Sequence, residues 1–182
     1  LPDFGSNIWD ETVQKSGGIT IGARDILLAY NVNIVDSDPF VAQQIGSIVR
    51  SSGRLIKSSD GERKFRTKGL LQYVQGMGVP LESHNMSQVS MNLQNYRVTN
   101  LHHAYDTIES LCKNMGSSTN GSELVGLVPL EAMISAGQWY GGNNLSDEEC
   151  IETAIKHLGL DSISSFNPNE RIIEWALKEG SQ

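Results

Sequence analysis

Glycines at positions 5, 17, 18 and 22 punctuate a polar loop that runs into an alternating apolar stretch. Lacking a Cβ, such residues adopt φ > 0 or let a ligand come close to the backbone. VQGMG (74–78) sets two more glycines one residue apart at a strand end. That pattern is a bulge beside a ligand, with Gln75 in hydrogen-bonding reach, or a tight turn before Pro80. It lacks the following helix of a dinucleotide fingerprint, so that chemistry is excluded. The four histidines offer little. His102 and His103 fall off the apolar stripe of a helix, read as surface residues, and as neighbours point about 100° apart, a poor metal pair. His157 sits near a helix C-terminus, where positive charge is favoured, and His84 in a turn. Asp147, Glu148 and Glu149 occupy a helix's first turn, where the helix dipole accounts for them. There is no phosphate loop, nucleophile elbow or zinc spacing.

Charge is unevenly distributed. Arg50, Arg54, Lys57, Arg63, Lys64, Arg66 and Lys68 are opposed within their segment only by Asp60 and Glu62. Residues 50–68 thus carry +5 in a chain of net charge −7, leaving −12 on the remainder. An acidic remainder argues against general nucleic-acid affinity, which needs a basic face. The basic stretch is either a solvated insertion or a means of concentrating anionic ligands.

These residues need elements to hold them. A chain of 182 residues fits one domain, 1–182, in which about 70% of the unfolded surface can be buried. No apolar run approaches the roughly 20 residues that span a bilayer, so no membrane is expected. The chain opens on Leu-Pro-Asp, without a leader pattern or initiator Met, and so reads as a fragment, a processed chain or a trimmed one. Cys112 and Cys150 have no motif spacing and are expected as buried thiols in a reducing, cytoplasmic setting. Alternation in ITIGA and ILLAYNVNIV predicts a strand region over 18–35. Asp38 and Pro39 start a helix over 39–50. The segment 51–69 lacks periodicity and reads as a basic mobile loop. Strands follow near 70–78 and 86–96, the latter with Val89, Met91 and Leu93 on one face and Ser90, Asn92 and Gln94 on the other. A 3.6-residue stripe predicts a helix over 100–115, then a strand over 123–128. A helical appendage over 129–182 contains one helix from Pro129 to Tyr140, one capped by Ser146 and Glu149 and ended by Gly159, and a last one from Asn167 to Leu177. The order is an α+β, ferredoxin-like βαββαβ sheet with both crossover helices on one face, plus C-terminal helices. The opposite face needs cover from those helices or another domain, and is expected to be partly apolar.

PDFG (2–5), GGITIGAR (17–24), LLAYNVNI (27–34), VQGMG, QVSMNL (88–93), GSELVGLVPL (121–130), LGLDS (158–162) and FNPNERIIEW (166–175) together resemble the glutamate formiminotransferase family. The likeness is to the C-terminal of the two subdomains of that folate enzyme of histidine breakdown, and it runs in matching order over nearly the whole chain. It implies transfer of a formimino group from N-formimino-L-glutamate to N5 of tetrahydrofolate. It implies a folate-site loop over 1–17, placing Gly5 and Gly17 by position, with Ser6, Trp9, Lys15 and Ser16 as contacts between them. This chain is about three residues longer there and has Ser6 where the family has Pro. The family's catalytic histidine lies in a Gly-Glu-His-Pro-Arg run of the N-terminal subdomain, and no such run occurs here. No catalytic residue is therefore assigned within these 182 residues, and an N-terminal subdomain and a homo-oligomer are the implied partners. A non-catalytic folate-binding or interaction module remains the alternative reading. A ferredoxin-like regulatory domain for another ligand is a third.

Overall fold

Strand β1 (Leu28–Ile34) alternates as a half-buried strand must, with Leu28, Tyr30, Val32 and Ile34 fully buried on one face. It pairs antiparallel with β5 (Met86–Leu93) on one side and β6 (Thr119–Val125) on the other. Strand β4 (Val74–Leu81) pairs with β5 and forms an edge, giving the sheet order β4-β5-β1-β6. Helix α2 (Phe40–Val49) packs on β4 and β5, helix α3 (Leu101–Asn114) on β1 and β6, and the two helices touch each other. This is the expected ferredoxin-like arrangement with both crossovers on one face. The computed structural model describes residues 3–5 and 7–179.

Helix α4 (Leu130–Gly141) and helix α5 (Asp147–Leu158) form an antiparallel pair that packs on α3. Ser146 and Glu149 make the expected capping box, and Gly159 ends α5 in the left-handed region at φ 60°. The C-terminal helices thus thicken the helical layer and leave the outer sheet face open. That face is partly apolar, as expected: Asn31, Gln75, Ser90, Asn92 and Glu123 point outward beside Ala29, Met77, Val79 and Val125, of which Met77 and Val125 are exposed.

Other expectations change in detail. The first half of the 18–35 strand does not form, and β1 begins at Leu28; Ile19 and Ile21 are 86% and 88% exposed. Alternation makes a strand only where a neighbour takes its hydrogen bonds. The basic loop contains a hairpin, β2 (Arg54–Lys57) against β3 (Lys64–Thr67). Its strands are exposed on both faces, apart from half-buried Arg54, so no periodicity betrays it. Gly76 and Gly78 are neither bulge nor turn. They sit inside β4 and face α2, where a Cβ on Gly78 would lie 2.1 Å from the Gln43 backbone nitrogen. The last helix divides into α6 (Pro168–Arg171) and α7 (Ile173–Glu179) around extended Ile172. Ile172 is fully buried and bridges Val128, whose backbone nitrogen donates to Arg171 O at 2.9 Å and whose oxygen accepts from Ile173 N at 3.0 Å.

Candidate functional site

The outer sheet face is built by the residues that alternate with the core. Asn31 stands opposite Ser90 on β5 and Glu123 on β6; Asn33 stands opposite Gln88. Glu123 Oε2 accepts from Gln88 Nε2 at 3.3 Å and from Asn31 Nδ2 at 3.5 Å. Gln88 Nε2 also donates to Asn33 Oδ1 at 2.8 Å, and Asn33 Nδ2 donates to Ser162 Oγ at 3.2 Å and Asn120 O at 3.3 Å. One carboxylate and three amides from three strands therefore hold one another in fixed orientation; Asn33 and Gln88 are buried in this network, and Asn31 and Glu123 are its half-exposed members. Such a face suits a planar ligand bearing amide-like edges and carboxylates. The alternation of QVSMNL predicted a polar face on β5, but not that Gln88 meets Glu123 from β6.

The loop expected to carry the site is an arm. Residues 3–5 and 7–26 are exposed throughout, except for half-buried Val13. Within it, helix α1 (Glu11–Ser16) is capped by Asp10, whose Oδ1 accepts from Val13 N at 2.9 Å. Gly17 ends it at φ 69°, and Gly5 lies at φ 89°, both conformations that favour glycine. The arm folds around a cavity of about 570 Å³ lined by Gly5, Trp9, Ser16 and Gly17, together with Phe4 and Ile8. Four of the six expected contacts are thus brought together. Lys15 is exposed on α1 and does not line the cavity. Ser6 lies outside the described residues. Ser16 Oγ is engaged locally, donating to Thr12 O at 2.9 Å, and Trp9 is 71% exposed.

Three histidines belong to the helical layer, and His84 sits in the turn between β4 and β5. His103 caps its own helix, its Nδ1 accepting from Asn100 N at 3.2 Å. His102 is buried rather than on the surface, stacked 5.0 Å from the Trp139 ring of α4, and its Nδ1 has no partner. Burial, with His103 second, pushes its pKa down to about 4. His157 stacks on Tyr140, and His84 Nδ1 pairs with Ser83 Oγ at 2.9 Å. Asp106 accepts from Tyr140 OH at 2.7 Å and Trp139 Nε1 at 2.8 Å, a cluster that the sequence did not reveal. Cys112 and Cys150 are buried free thiols, and burial pushes Cys112 up to about 11. Among the described residues no group of three or more metal-ligating side chains occurs, and no helix is long and apolar enough to cross a membrane.

Comparison with known proteins identifies related chains. A family model described as "Formiminotransferase domain" matches residues 29–178. The chain is 37% identical over 186 residues to formimidoyltransferase-cyclodeaminase of Gallus gallus, covering 100% of this chain and 32% of that protein. Against the Dictyostelium discoideum protein of the same name it is 37% identical over 182 residues, covering 98% and 32%. Glutamate formimidoyltransferase of Thermoplasma acidophilum is 36% identical over 147 residues, covering 81% of this chain and 42% of that one. The chain spans about a third of the first two relatives' length. The family match begins inside β1, so the arm lies outside it, whereas the alignment with the Gallus gallus protein includes the arm.

Proposed function

Because this chain belongs to the formiminotransferase domain family, we propose that it is the folate-binding subdomain of a glutamate formimidoyltransferase. In this reading the outer sheet face and the arm form one wall of the site for N-formimino-L-glutamate and tetrahydrofolate. The observation that carries it is the outer sheet face, where Asn31, Gln75, Ser90, Asn92 and Glu123 stand at least partly exposed, with Asn31 and Glu123 fixed by a hydrogen-bond network.

The chemistry divides between two subdomains. N5 of tetrahydrofolate attacks the formimino carbon and loses a proton, and the glutamate nitrogen leaves with one gained. A group titrating near neutrality serves both steps. His102, His103 and His157 belong to the helical layer and His84 pairs with Ser83 in the turn before β5, which supports a proton carrier from an N-terminal subdomain while this chain binds and orients. Formimino transfer from a glutamate derivative places the reaction in histidine degradation and one-carbon metabolism. A reducing, cytoplasmic setting belongs to the same proposal and is supported by the two buried free thiols.

Calorimetric titration of 5-formyltetrahydrofolate into the chain, alone and with an N-terminal subdomain, tests the reading. Binding that tightens when both are present is the expected result. No heat in either case removes folate from the assignment and leaves an interaction module.

A further inference from the structure

The β4 margin of the sheet face differs from the network around Glu123. Where α2 ends, the chain turns at Arg50 around the edge strand, and Ser51 N donates to Val74 O at 2.8 Å. Arg50 Nε donates to Gly53 O at 2.9 Å, which orients the guanidinium plane. Its two terminal nitrogens make no hydrogen bond or ion pair among the described residues. A cavity of about 300 Å³ opens there, lined by Arg50, Gln75, Gly76, Met77, Ser90 and Asn92, and by no acidic residue. Gln75 stands opposite Asn92 and Met77 opposite Ser90, so all four point to the outer face. Among the described residues the side chains of Gln75, Ser90 and Asn92 also lack partners, whereas the amides farther along satisfy one another.

We propose that this cavity is a carboxylate subsite, in which Arg50 receives a glutamyl γ-carboxylate and Gln75, Ser90 and Asn92 hydrogen-bond the atoms around it. The proposal rests on the functional reading above, since a glutamyl group is common to the formimino donor and the folate tail. A guanidinium with Nε already bonded and both terminal N–H₂ groups free presents the planar fork that a carboxylate accepts from two donors at once. Charge-assisted bonds of this kind are about twice as strong as neutral ones. The setting favours anions as well. Arg50 stands at the base of the β2–β3 hairpin, in the +5 segment of a chain otherwise at −12, so the local field draws carboxylates toward this edge.

The test uses the full chain and two small probes at millimolar concentration: N-formyl-L-glutamate, a stable analogue of the formimino donor, and its γ-amide, N-formyl-L-glutamine. Backbone amide spectra are expected to shift at Gln75–Met77 and Ser90–Asn92 with the dicarboxylate, and less with the amide. Arg50→Lys keeps the charge but loses the fork, and is expected to weaken binding roughly tenfold. Asn92→Ala, which breaks no intrachain bond, guards against a folding defect and should weaken binding several-fold. Titration of 5-formyltetrahydrofolate into the same variants identifies the source of the carboxylate. Loss confined to N-formyl-L-glutamate assigns the cavity to the formimino donor, and loss confined to the folate assigns it to the folate tail. Shifts elsewhere, no shifts, equal binding of acid and amide, or both variants binding as the parent overturns the proposal. If the folate binds normally to Arg50→Lys and N-formyl-L-glutamate does too, the subsite fails and the functional reading stands. If folate binds in no combination, the functional reading fails, and a shift map centred on Arg50 still supports a carboxylate site.

Discussion

His102 shows how one side chain can couple stability to pH. It is 3% exposed, its Nδ1 has no partner, and it stacks on Trp139. Burial first, then His103, hold its pKa down to about 4, against the opposing pull of Asp106. In an unfolded chain the value is about 6.5. The unfolded state therefore binds more protons between these values, and stability falls as pH drops from about 6.5 toward 4. The loss approaches about 3 kcal/mol at the acid end of that window. Urea unfolding should show its midpoint declining across this range, and His102→Phe, which keeps the stacking surface, should flatten that decline. An unchanged slope in the variant assigns the titration to another group. The sequence placed His102 on the surface because the stripe that runs through Leu101, Ala104 and Ile108 omits it. What buries it is α4, and nothing in the local pattern of α3 announces that partner.

At the scale of elements, the approach of α2 to β4 depends on glycine. A Cβ on Gly78 would meet backbone atoms of Ala42 and Gln43 at 2.2 and 2.1 Å, which no rotamer change relieves. Gly78→Ala should cost about 1–3 kcal/mol or more, with the denaturant slope unchanged. Gly22→Ala, in the exposed arm with nothing within 4 Å, should be nearly neutral. Similar stabilities for the two variants would show that α2 can slide to make room. In the arm, Gly17→Val places a β-branched residue at φ 69° and should weaken 5-formyltetrahydrofolate binding, with roughly 1–3 kcal/mol of backbone strain at stake. On the hairpin, Lys57 and Lys64 stand directly opposite each other, a repulsive pair that an anion relieves. Neutralising both should weaken a polyglutamate folate more than a monoglutamate, and salt should shrink the difference. A normal Gly17 variant beside a lysine variant that loses both ligands equally would move the site off the arm. Elements closed by local chemistry were legible: the Ser146–Glu149 box and the Gly159 stop need only neighbours in sequence. The break at Ile172 was not legible, because its cause is Val128. The network of Asn31, Asn33, Gln88 and Glu123 was not either, because its members come from three strands.

The whole molecule divides into a helical layer packed on one side of the sheet and an outer sheet face that is at least partly exposed. Its exposed apolar margins, Met77 and Val125, suit an interface. Its amides, carboxylate and edge arginine favour a wet junction there, one that encloses a polar ligand between this chain and another. In the proposed reading, binding and proton transfer belong to different subdomains. The four histidines belong to α3, α5 and the turn before β5; His102, His103 and His157 cap, stack or sit buried, and exposed His84 pairs with Ser83. The pure chain should therefore bind folate weakly and turn over no N-formimino-L-glutamate. Adding an N-terminal subdomain that carries the Gly-Glu-His-Pro-Arg run should restore formation of 5-formiminotetrahydrofolate, with a pH profile set by the added histidine rather than by any histidine here. An assay of the chain alone, the added subdomain alone and the mixture resolves the matter. Turnover by the chain alone that disappears on changing His84, His102, His103 or His157 would place the chemistry in this half. Turnover only in the mixture, insensitive to those four, leaves this chain as the wall that holds the substrates.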